Sequence, residues 1–236
     1  MNAIETRELT RNFGPARVVD AVTMEIPEGA VFGLLGANGA GKSTLLKLLI
    51  GHLKPAWGSA SVFGLPPRSP RIWERLGYVA QARYLPQWMT ARECLEFTRS
   101  LRPQWDVGKA AELVRRLDFP LNGRIRDLSR GHYVRLQIAL ALSHNPAAVV
   151  LDEPTSGLDP VGRHELLSIL IDEVSARGCA VLLSSHIVED VERMADHVAI
   201  MDRGKVVANG TVDALKTEGA SSLEQAFLAA VGRSNS

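Results

Sequence analysis

The spacing of apolar residues predicts a chain in which buried strands alternate with helices. The apolar run "AVFGLLG" ends in glycine, and "KSTLLKLLIGHL" follows shortly after it with apolar residues at helical spacing. Two further runs of strand length, "AAVVLDEP" and "CAVLLSSH", flank a stretch with Asp159 as helix N-cap, Pro160 at the first helical position and Gly178 just past the end. Buried strands that alternate with helices indicate a parallel sheet covered on both faces.

Other segments follow different patterns. The start of the chain, up to "IPEGA", is rich in Val, Ile and Thr with Gly and Pro breaks, which predicts short antiparallel strands. Between Gln81 and Asp127 the pattern is helical, with a capping box from Thr90 to Glu93. The end of the chain predicts a hairpin that turns at residues 202–204 and a short terminal helix in "SSLEQAFLAAVG". The apolar faces expected in the two helices of the insert are Cys94, Phe97 and Leu101 in the first, and Val107, Ala110, Leu113, Val114 and Leu117 in the second.

Composition narrows the function classes. The 236 residues are 46% hydrophobic and 22% charged with a formal net charge of +1, so there is no basic field of the kind that nucleic-acid binding needs. The two cysteines, Cys94 and Cys179, lie far apart without CxxC spacing, which argues for buried thiols rather than a disulfide or zinc site. Neither a secretory signal nor a run of about 18 apolar residues is present, so we do not expect the chain itself to cross a membrane.

The segment "GANGAGKST" fits the pattern G-x-x-x-x-G-K-[ST] between a predicted strand and a predicted helix. Glycines let the backbone curl so that successive N–H groups face phosphate oxygens, while Lys42 places a cation on the β- and γ-phosphates and the Ser43 hydroxyl ligates Mg²⁺. The sequence therefore predicts a nucleoside triphosphate site. Its residues are Gly36, Ala37, Asn38, Gly39, Ala40, Gly41, Lys42, Ser43 and Thr44.

The run "AAVVLDEP" predicts the second half of that site. Its carboxyl end delivers Asp152 and Glu153 to the crevice where α/β sheets bind ligands. Adjacent carboxylates on a strand point in different directions, so Asp152 is expected to hold Mg²⁺ through water while Glu153 faces the attacking water as general base or polariser.

With these motifs the sequence resembles the ATPase subunit of an ABC (ATP-binding cassette) transporter, from near Ile4 to about Gly232. The resemblance implies an α/β fold with a P-loop NTPase core and mainly parallel sheet, an N-terminal antiparallel β-subdomain and a helical signature subdomain. It also implies one ATPase domain over residues 1–236, with the helical subdomain at about 82–145 and a short helix and tail at about 221–236. The expected activity is ATP hydrolysis with ATP and Mg²⁺.

The same resemblance assigns roles to residues outside the phosphate loop. Gln81 in "GYVAQ" falls on the family's glutamine loop, as a ligand of Mg²⁺ and water, and His186 in "LLSSH" falls on its switch histidine, next to the γ-phosphate. Asp159 ends the loop "SGLD", and Phe13 in "RNFG" is the candidate that stacks on adenine. Each has an alternative that stays open: Gln81 as a surface amide, His186 as a structural histidine and Phe13 as a core aromatic.

The stretch "LSRGHYVRL" poses a separate question, because it looks like a helix start that carries positive charge where the helix dipole disfavours it. It aligns with the family signature L-S-G-G-Q, which binds the γ-phosphate held by the other ATPase subunit, and departs from it at Arg130 and His132. Ser129 and Gly131 keep the cap and the open backbone that anion binding needs. Arg130 either contributes to that arrangement, reaches solvent or pairs with Asp127.

The implied partners are a second ATPase subunit, identical or homologous, that shares two ATP sites, and integral membrane permease subunits. The expected location is cytoplasmic, on the inner face of the cell membrane through the permease, with no nucleic acid partner. Tyr84, Leu85, Trp88 and Met89, after the glutamine loop, are the expected docking surface, or alternatively core residues. The nearest resemblance is to ATPases of bacterial ABC-2-type exporters. Rival functions are a soluble ABC-type ATPase in a non-transport assembly or nucleic-acid process, and a regulatory module that does not hydrolyse ATP.

Overall fold

Strands and helices alternate in the computed structural model as the apolar pattern predicts; it describes residues 1–217 and 222–233. The strands of this part of the chain are β1 (Asn2–Phe13), β2 (Ala16–Pro27), β3 (Val31–Leu35), β4 (Trp57–Val62), β5 (Leu76–Val79), β6 (Ala148–Asp152), β7 (Ala180–Ser185), β8 (His197–Asp202) and β9 (Lys205–Thr211). The helices are α1 (Lys42–Leu49), α2 (Ala91–Leu101), α3 (Val107–Leu117), α4 (Arg130–Leu142), α5 (Pro160–Ser175), α6 (Val188–Met194), α7 (Val212–Thr217) and α8 (Leu223–Arg233). Single 3-10 turns cover Pro70–Glu74 and Ile125–Asp127.

The larger sheet has six strands in the order β5-β6-β7-β3-β8-β9. All neighbours pair in parallel except β9, which returns antiparallel to β8 through the predicted hairpin. Strand β3 lies between β7 and β8, and β7 lies next to β6, so the carboxyl ends of β3, β6 and β7 meet at one edge of the sheet. The predicted α/β class with a mainly parallel sheet is confirmed, and its topology brings the phosphate loop and the Asp152–Glu153 pair together.

The smaller sheet is antiparallel with the order β2-β1-β4, which confirms the predicted N-terminal β-subdomain. Helix α1 buries leucines in one hydrophobic cluster with side chains from both sheets, such as Ile4 and Leu9 of β1 and Phe32 of β3. The helix that follows the phosphate loop is therefore fixed between two sheets.

The helical segment begins with the predicted capping box, in which Thr90 accepts from the Glu93 backbone N–H and the Glu93 carboxylate accepts from the Thr90 N–H. In α3, Leu113 and Leu117 are buried against α4, which confirms that part of the expected apolar face.

Cys94 is buried as expected, and Val114 packs partly against the same core. The expected burial of Phe97, Leu101 and Val107 is wrong, because all three are half or more exposed. The facing sides of α2 and α3 line an open groove of about 320 Å³ and do not pack tightly against each other. Helical spacing identified the apolar positions but not how closely the two helices approach.

Both cysteines are buried thiols, as predicted. Cys94 and Cys179 are free and buried, and burial raises the pKa of both thiols.

Helix α8 covers most of the predicted terminal helix, whereas Ser221 and residues 234–236 of the predicted tail lie outside the described residues. Within residues 1–217 and 222–233 none of the helices has the length and apolar character needed to span a membrane.

Candidate functional site

The phosphate loop, residues 36–44, connects the end of β3 to the first turn of α1. Gly41 has φ of +106° at the N-cap of α1, and a Cβ there would lie 2.4 Å from the backbone carbonyl oxygen of Val18. Only glycine meets both demands, because other residues rarely adopt this φ and no space exists for a side chain. The loop therefore curls closely under β2 and opens onto the positive end of the α1 dipole.

A cleft of about 360 Å³ lies over this loop. Gln81, which follows β5, Glu153, which follows β6, and Val18 of β2 also line it. The structure thus brings together the phosphate loop, Gln81 and Glu153, which lie far apart in the sequence. The loop residues that line the cleft are Ala37, Asn38, Gly39, Ala40, Gly41, Lys42, Ser43 and Thr44.

Lys42 is only 5% exposed, and its ammonium group has three oxygen neighbours. It donates to the carbonyl oxygens of Gly36 at 2.7 Å and Ala37 at 3.2 Å, and its Nζ lies 3.0 Å from Glu153 Oε1. A buried ammonium held mainly by loop carbonyls and one carboxylate is a cation that an incoming phosphate oxygen could recruit.

Glu153 is 3% exposed, and each of its carboxylate oxygens has a basic neighbour. Oε1 faces Lys42, and Oε2 lies 2.7 Å from Nδ1 of His186, which follows β7. The Glu153 backbone adopts φ of +51°, an uncommon left-handed conformation for a non-glycine residue, and its N–H donates to Ser184 Oγ at 3.1 Å. The carboxylate and the imidazole therefore form a hydrogen-bonded pair at the mouth of the phosphate site.

Asp152 precedes Glu153 and points to a different set of partners. Its Oδ1 accepts from the hydroxyls of Ser43 and Ser184, each at 2.9 Å. Burial raises the pKa of the Asp152 carboxyl, and the neighbouring Glu153 adds to this effect, while the two serine hydrogen bonds oppose it.

These groups fit the way in which Mg²⁺ binds at phosphate sites. Among the residues that the structure describes, no cluster of three His, Cys, Asp or Glu side chains could hold a metal ion. Mg²⁺ typically binds through one or two protein oxygens, several waters and the substrate phosphates. The Ser43 hydroxyl next to the Asp152 carboxylate, with Gln81 across the cleft, is such a partial donor set.

Sequence reasoning missed Ser184. It pairs in register with Asp152 across β6 and β7, and it bonds both the Asp152 side chain and the Glu153 backbone. A polar residue near the end of a buried strand was the available signal. Phe13, by contrast, is 46% exposed at the end of β1, has Arg11 over its ring at 4.8 Å and does not line the cleft.

The signature segment lies outside the cleft. Ser129 caps α4 by accepting from the His132 N–H at 3.1 Å, as expected for the start of a helix. Asp159 similarly caps α5, where the Gly162 and Val161 N–H groups lower the pKa of its carboxyl. Neither Ser129, Gly131 nor Asp159 lines the cleft of its own chain.

Arg130 is exposed, as one of the predicted alternatives has it, but it does not pair with Asp127. Its Nε donates to the backbone carbonyl of Ser156, in the loop that follows β6, while Asp127 forms an ion pair with Arg126 instead. The reason is geometric: the first turn of α4 lies directly against that loop, and its glycine, Gly157, leaves room for the guanidinium.

The comparisons with known proteins agree with this geometry. The family model described as "ABC transporter" matches residues 19–156, more than half of the chain. The chain belongs to the ABC transporter family. It is accordingly an ATP-binding and ATP-hydrolysing subunit of the cassette type, as the sequence resemblance implied.

Named relatives of this ABC subunit come from bacteria. It is 32% identical to the ABC transporter ATP-binding protein YtrB of Bacillus subtilis over 91% of this chain and 74% of that protein. It is 37% identical to the Nod factor export ATP-binding protein I of Rhizobium meliloti, where the match covers 88% of this chain but only 64% of that protein. A solved ATP-binding subunit of an ABC transporter superposes with a TM-score of 0.86 at 28% identity, over 97% of this chain and 99% of that one.

Proposed function

We propose that this subunit powers a membrane transporter in the export direction by hydrolysing ATP with Mg²⁺ in the cleft over the phosphate loop, as a single ATPase domain. The observation that carries the proposal is the convergence of Lys42, Glu153 and His186 at one edge of the sheet, with carboxylate oxygens 3.0 Å and 2.7 Å from the two basic groups. The export direction rests on similarity to an export ATP-binding protein.

Binding would use the loop and its lysine first. Lys42 moves from the Gly36 and Ala37 carbonyls to the β- and γ-phosphates, while residues 36–44 surround the phosphates with backbone N–H groups. Phe13 stacks on adenine with the ring face opposite Arg11. Ser43, Gln81 and Asp152 would hold Mg²⁺, which when bound would neutralise negative charge on the phosphates.

Glu153 then acts on the attacking water as general base. Recruitment of Lys42 by phosphate removes one counter-charge from the Glu153 carboxylate and leaves it free to accept a proton. His186 Nδ1 hydrogen-bonds the second carboxylate oxygen. In the proposed mechanism the other ring nitrogen of His186 would hydrogen-bond the γ-phosphate. Glu153 follows β6 and His186 follows the neighbouring strand β7, so the sheet itself fixes the distance between the two side chains.

Two copies of the cassette, identical or homologous, would complete each other's sites. Ser129, Gly131 and Asp159 lie outside the cleft of their own chain, at two helix starts. In a head-to-tail dimer these helix ends face the nucleotide of the partner, whose γ-phosphate supplies the anion that a positively charged helix start needs.

Coupling to transport would go through permease subunits. Tyr84 and Trp88 are exposed beyond Gln81, whereas Leu85 and Met89 pack partly against the core below them. We propose that this aromatic surface contacts the permease, which places the subunit in the cytoplasm on the inner face of the membrane, without a nucleic acid partner. ATP then moves the permease because it binds the closed dimer better than the open one.

The alternative is a soluble ABC-type ATPase in a non-transport assembly. Two measurements separate the readings. Phosphate release by the wild type, lost on Glu153→Gln, tests hydrolysis and excludes a regulatory module if activity is present. Co-purification from detergent extracts with a polytopic membrane protein supports transport, and a cassette that stays with soluble partners only would overturn the transporter proposal.

A further inference from the structure

Arg130 connects two segments of the same chain that have separate roles. It is the first residue of α4, after the capping Ser129, and its Nε donates to the carbonyl of Ser156. A Cβ at Gly157 would lie 2.8 Å from both Cδ and Nε of Arg130, so the side chain lies directly over that glycine. Gly157 has φ of +76°, a conformation that glycine adopts without strain.

The loop that Arg130 contacts begins at Glu153. The Ser156 N–H donates to the Glu153 carbonyl at 3.2 Å, which closes a tight turn between the two residues. Glu153 itself has a left-handed backbone, and such a conformation persists only where several contacts fix it. Ser184 contacts the turn on the side of the sheet, and Arg130 contacts it on the side of α4.

We infer that Arg130 is a positioning residue, which holds the Ser156–Gly157 backbone against α4 and so keeps Glu153 oriented for hydrolysis. The inference rests on the proposed role of Glu153. In the proposed dimer the first turn of α4 contacts the nucleotide of the partner subunit. Through Arg130 that same turn also contacts, within its own chain, the turn that carries the general base. Arg130 then acts on the chemical step rather than on ATP binding.

Steady-state phosphate release tests this with two variants and a control. Arg130→Met keeps the length of the side chain but removes the donor, and kcat should fall about five- to tenfold with KM for ATP within twofold. Arg130→Lys retains a donor and should recover at least half of the wild-type kcat. Arg126→Met, four residues away and in contact with Asp127 only through an exposed ion pair, should match the wild type.

Gly157→Ala provides an independent variant, because its methyl group would displace the Arg130 side chain. It should lower kcat more in the wild-type background than in an Arg130→Gly background. The backbone strain of alanine is common to both arms and cancels in the cycle, so the difference between the arms reports the Arg130 contact. Circular dichroism and thermal unfolding identify any variant that fails to fold, and the cycle then relies on the folded ones.

The outcomes separate this inference from the proposed function. Absence of Glu153-dependent phosphate release in the wild type would overturn the proposed function. Normal wild-type activity with Arg130→Met equal to Arg126→Met, or with Arg130→Lys as slow as Arg130→Met, would overturn the positioning role alone. A rise in KM at unchanged kcat would place Arg130 on nucleotide and equally overturn it.

Discussion

Lys42 and Glu153 form a buried ion pair, with 3.0 Å between Nζ and Oε1 and with both side chains almost inaccessible to solvent. The pair joins the phosphate loop to the turn after β6, and each charge has the other as its partner. Under the proposed function, phosphate displaces the carboxylate from the lysine, so nucleotide binding would also free the proposed general base.

The first prediction concerns this pair. Lys42→Met leaves the Glu153 carboxylate buried without its cation, so the free energy of unfolding should fall by about 3 kcal/mol and ATP binding should be lost. Lys42→Met combined with Glu153→Gln should be more stable than Lys42→Met alone, because no unpaired charge remains. Urea unfolding and fluorescent-nucleotide titration measure the two effects.

Lys54→Met is the matched control, since Lys54 is exposed and should show neither effect. Equal stability of Lys42→Met and Lys54→Met would contradict the view that the ion pair matters in the free protein.

The second prediction concerns Ser184, which bonds Asp152 and the Glu153 backbone. Ser184→Ala should lower kcat with Mg²⁺ about tenfold, the lower end of the range for residues that orient metal ligands. Ser143→Ala also removes a buried hydroxyl, but one that donates to the Ala139 carbonyl far from the cleft, and should leave kcat unchanged. Equal rates for the two variants would show that Ser184 is not needed to orient the acidic pair.

Ser184 also shows where sequence reasoning stops. Two local patterns were visible in the sequence, because the backbone of a strand and of a helix start imposes them. One is the spacing of Gly36, Lys42 and Ser43, and the other is the position of Asp152 and Glu153 at the end of an apolar run. The contact of Ser184 with Asp152 depends on which strand pairs with which and in what register, and that follows from tertiary structure alone. Hence the sheet, the phosphate loop and the acidic pair were predictable.

The helical segment gives the complementary case. The Thr90 capping box is a four-residue signal and was predicted correctly. The exposure of Phe97 was not, because it depends on which side of α2 packs against the rest of the protein. The contact of Arg130 with Ser156 similarly joins segments that no local pattern relates.

The third prediction tests the proposed docking surface. Trp88→Glu places a charge in the aromatic surface that is proposed to contact the permease. Transport by the reconstituted complex should therefore fall at least tenfold, while the affinity of the subunit for ATP stays within twofold of the wild type. Trp57→Glu is the control: Trp57 is 71% exposed, close to the 69% of Trp88, but lies on β4 of the small sheet. Transport that survives Trp88→Glu as well as Trp57→Glu would show that the permease binds elsewhere.

The last prediction is a pH dependence that originates outside the nucleotide site. His144 follows α4, is 1% exposed, and has an Arg102 guanidinium nitrogen 3.4 Å from Nε2. Burial, with the Arg102 charge, lowers the pKa of His144 from 6.5 to about 4. The folded state thus binds this proton less readily than the unfolded chain does, so the stabilisation is complete above pH 6.5 and is lost as the pH falls toward 4.

Between pH 7 and pH 5 this group should remove about 2 kcal/mol from the free energy of unfolding. His144→Gln cannot titrate, so its unfolding free energy should change less over the same interval, whatever its value at pH 7. His52→Gln, at an exposed histidine, should keep the wild-type slope. Urea unfolding at pH 5, 6 and 7 gives the slope of the unfolding free energy against pH for the wild type and for each variant. A slope for His144→Gln equal to that of the wild type would show that the neutral, buried His144 is not the source of the acid sensitivity.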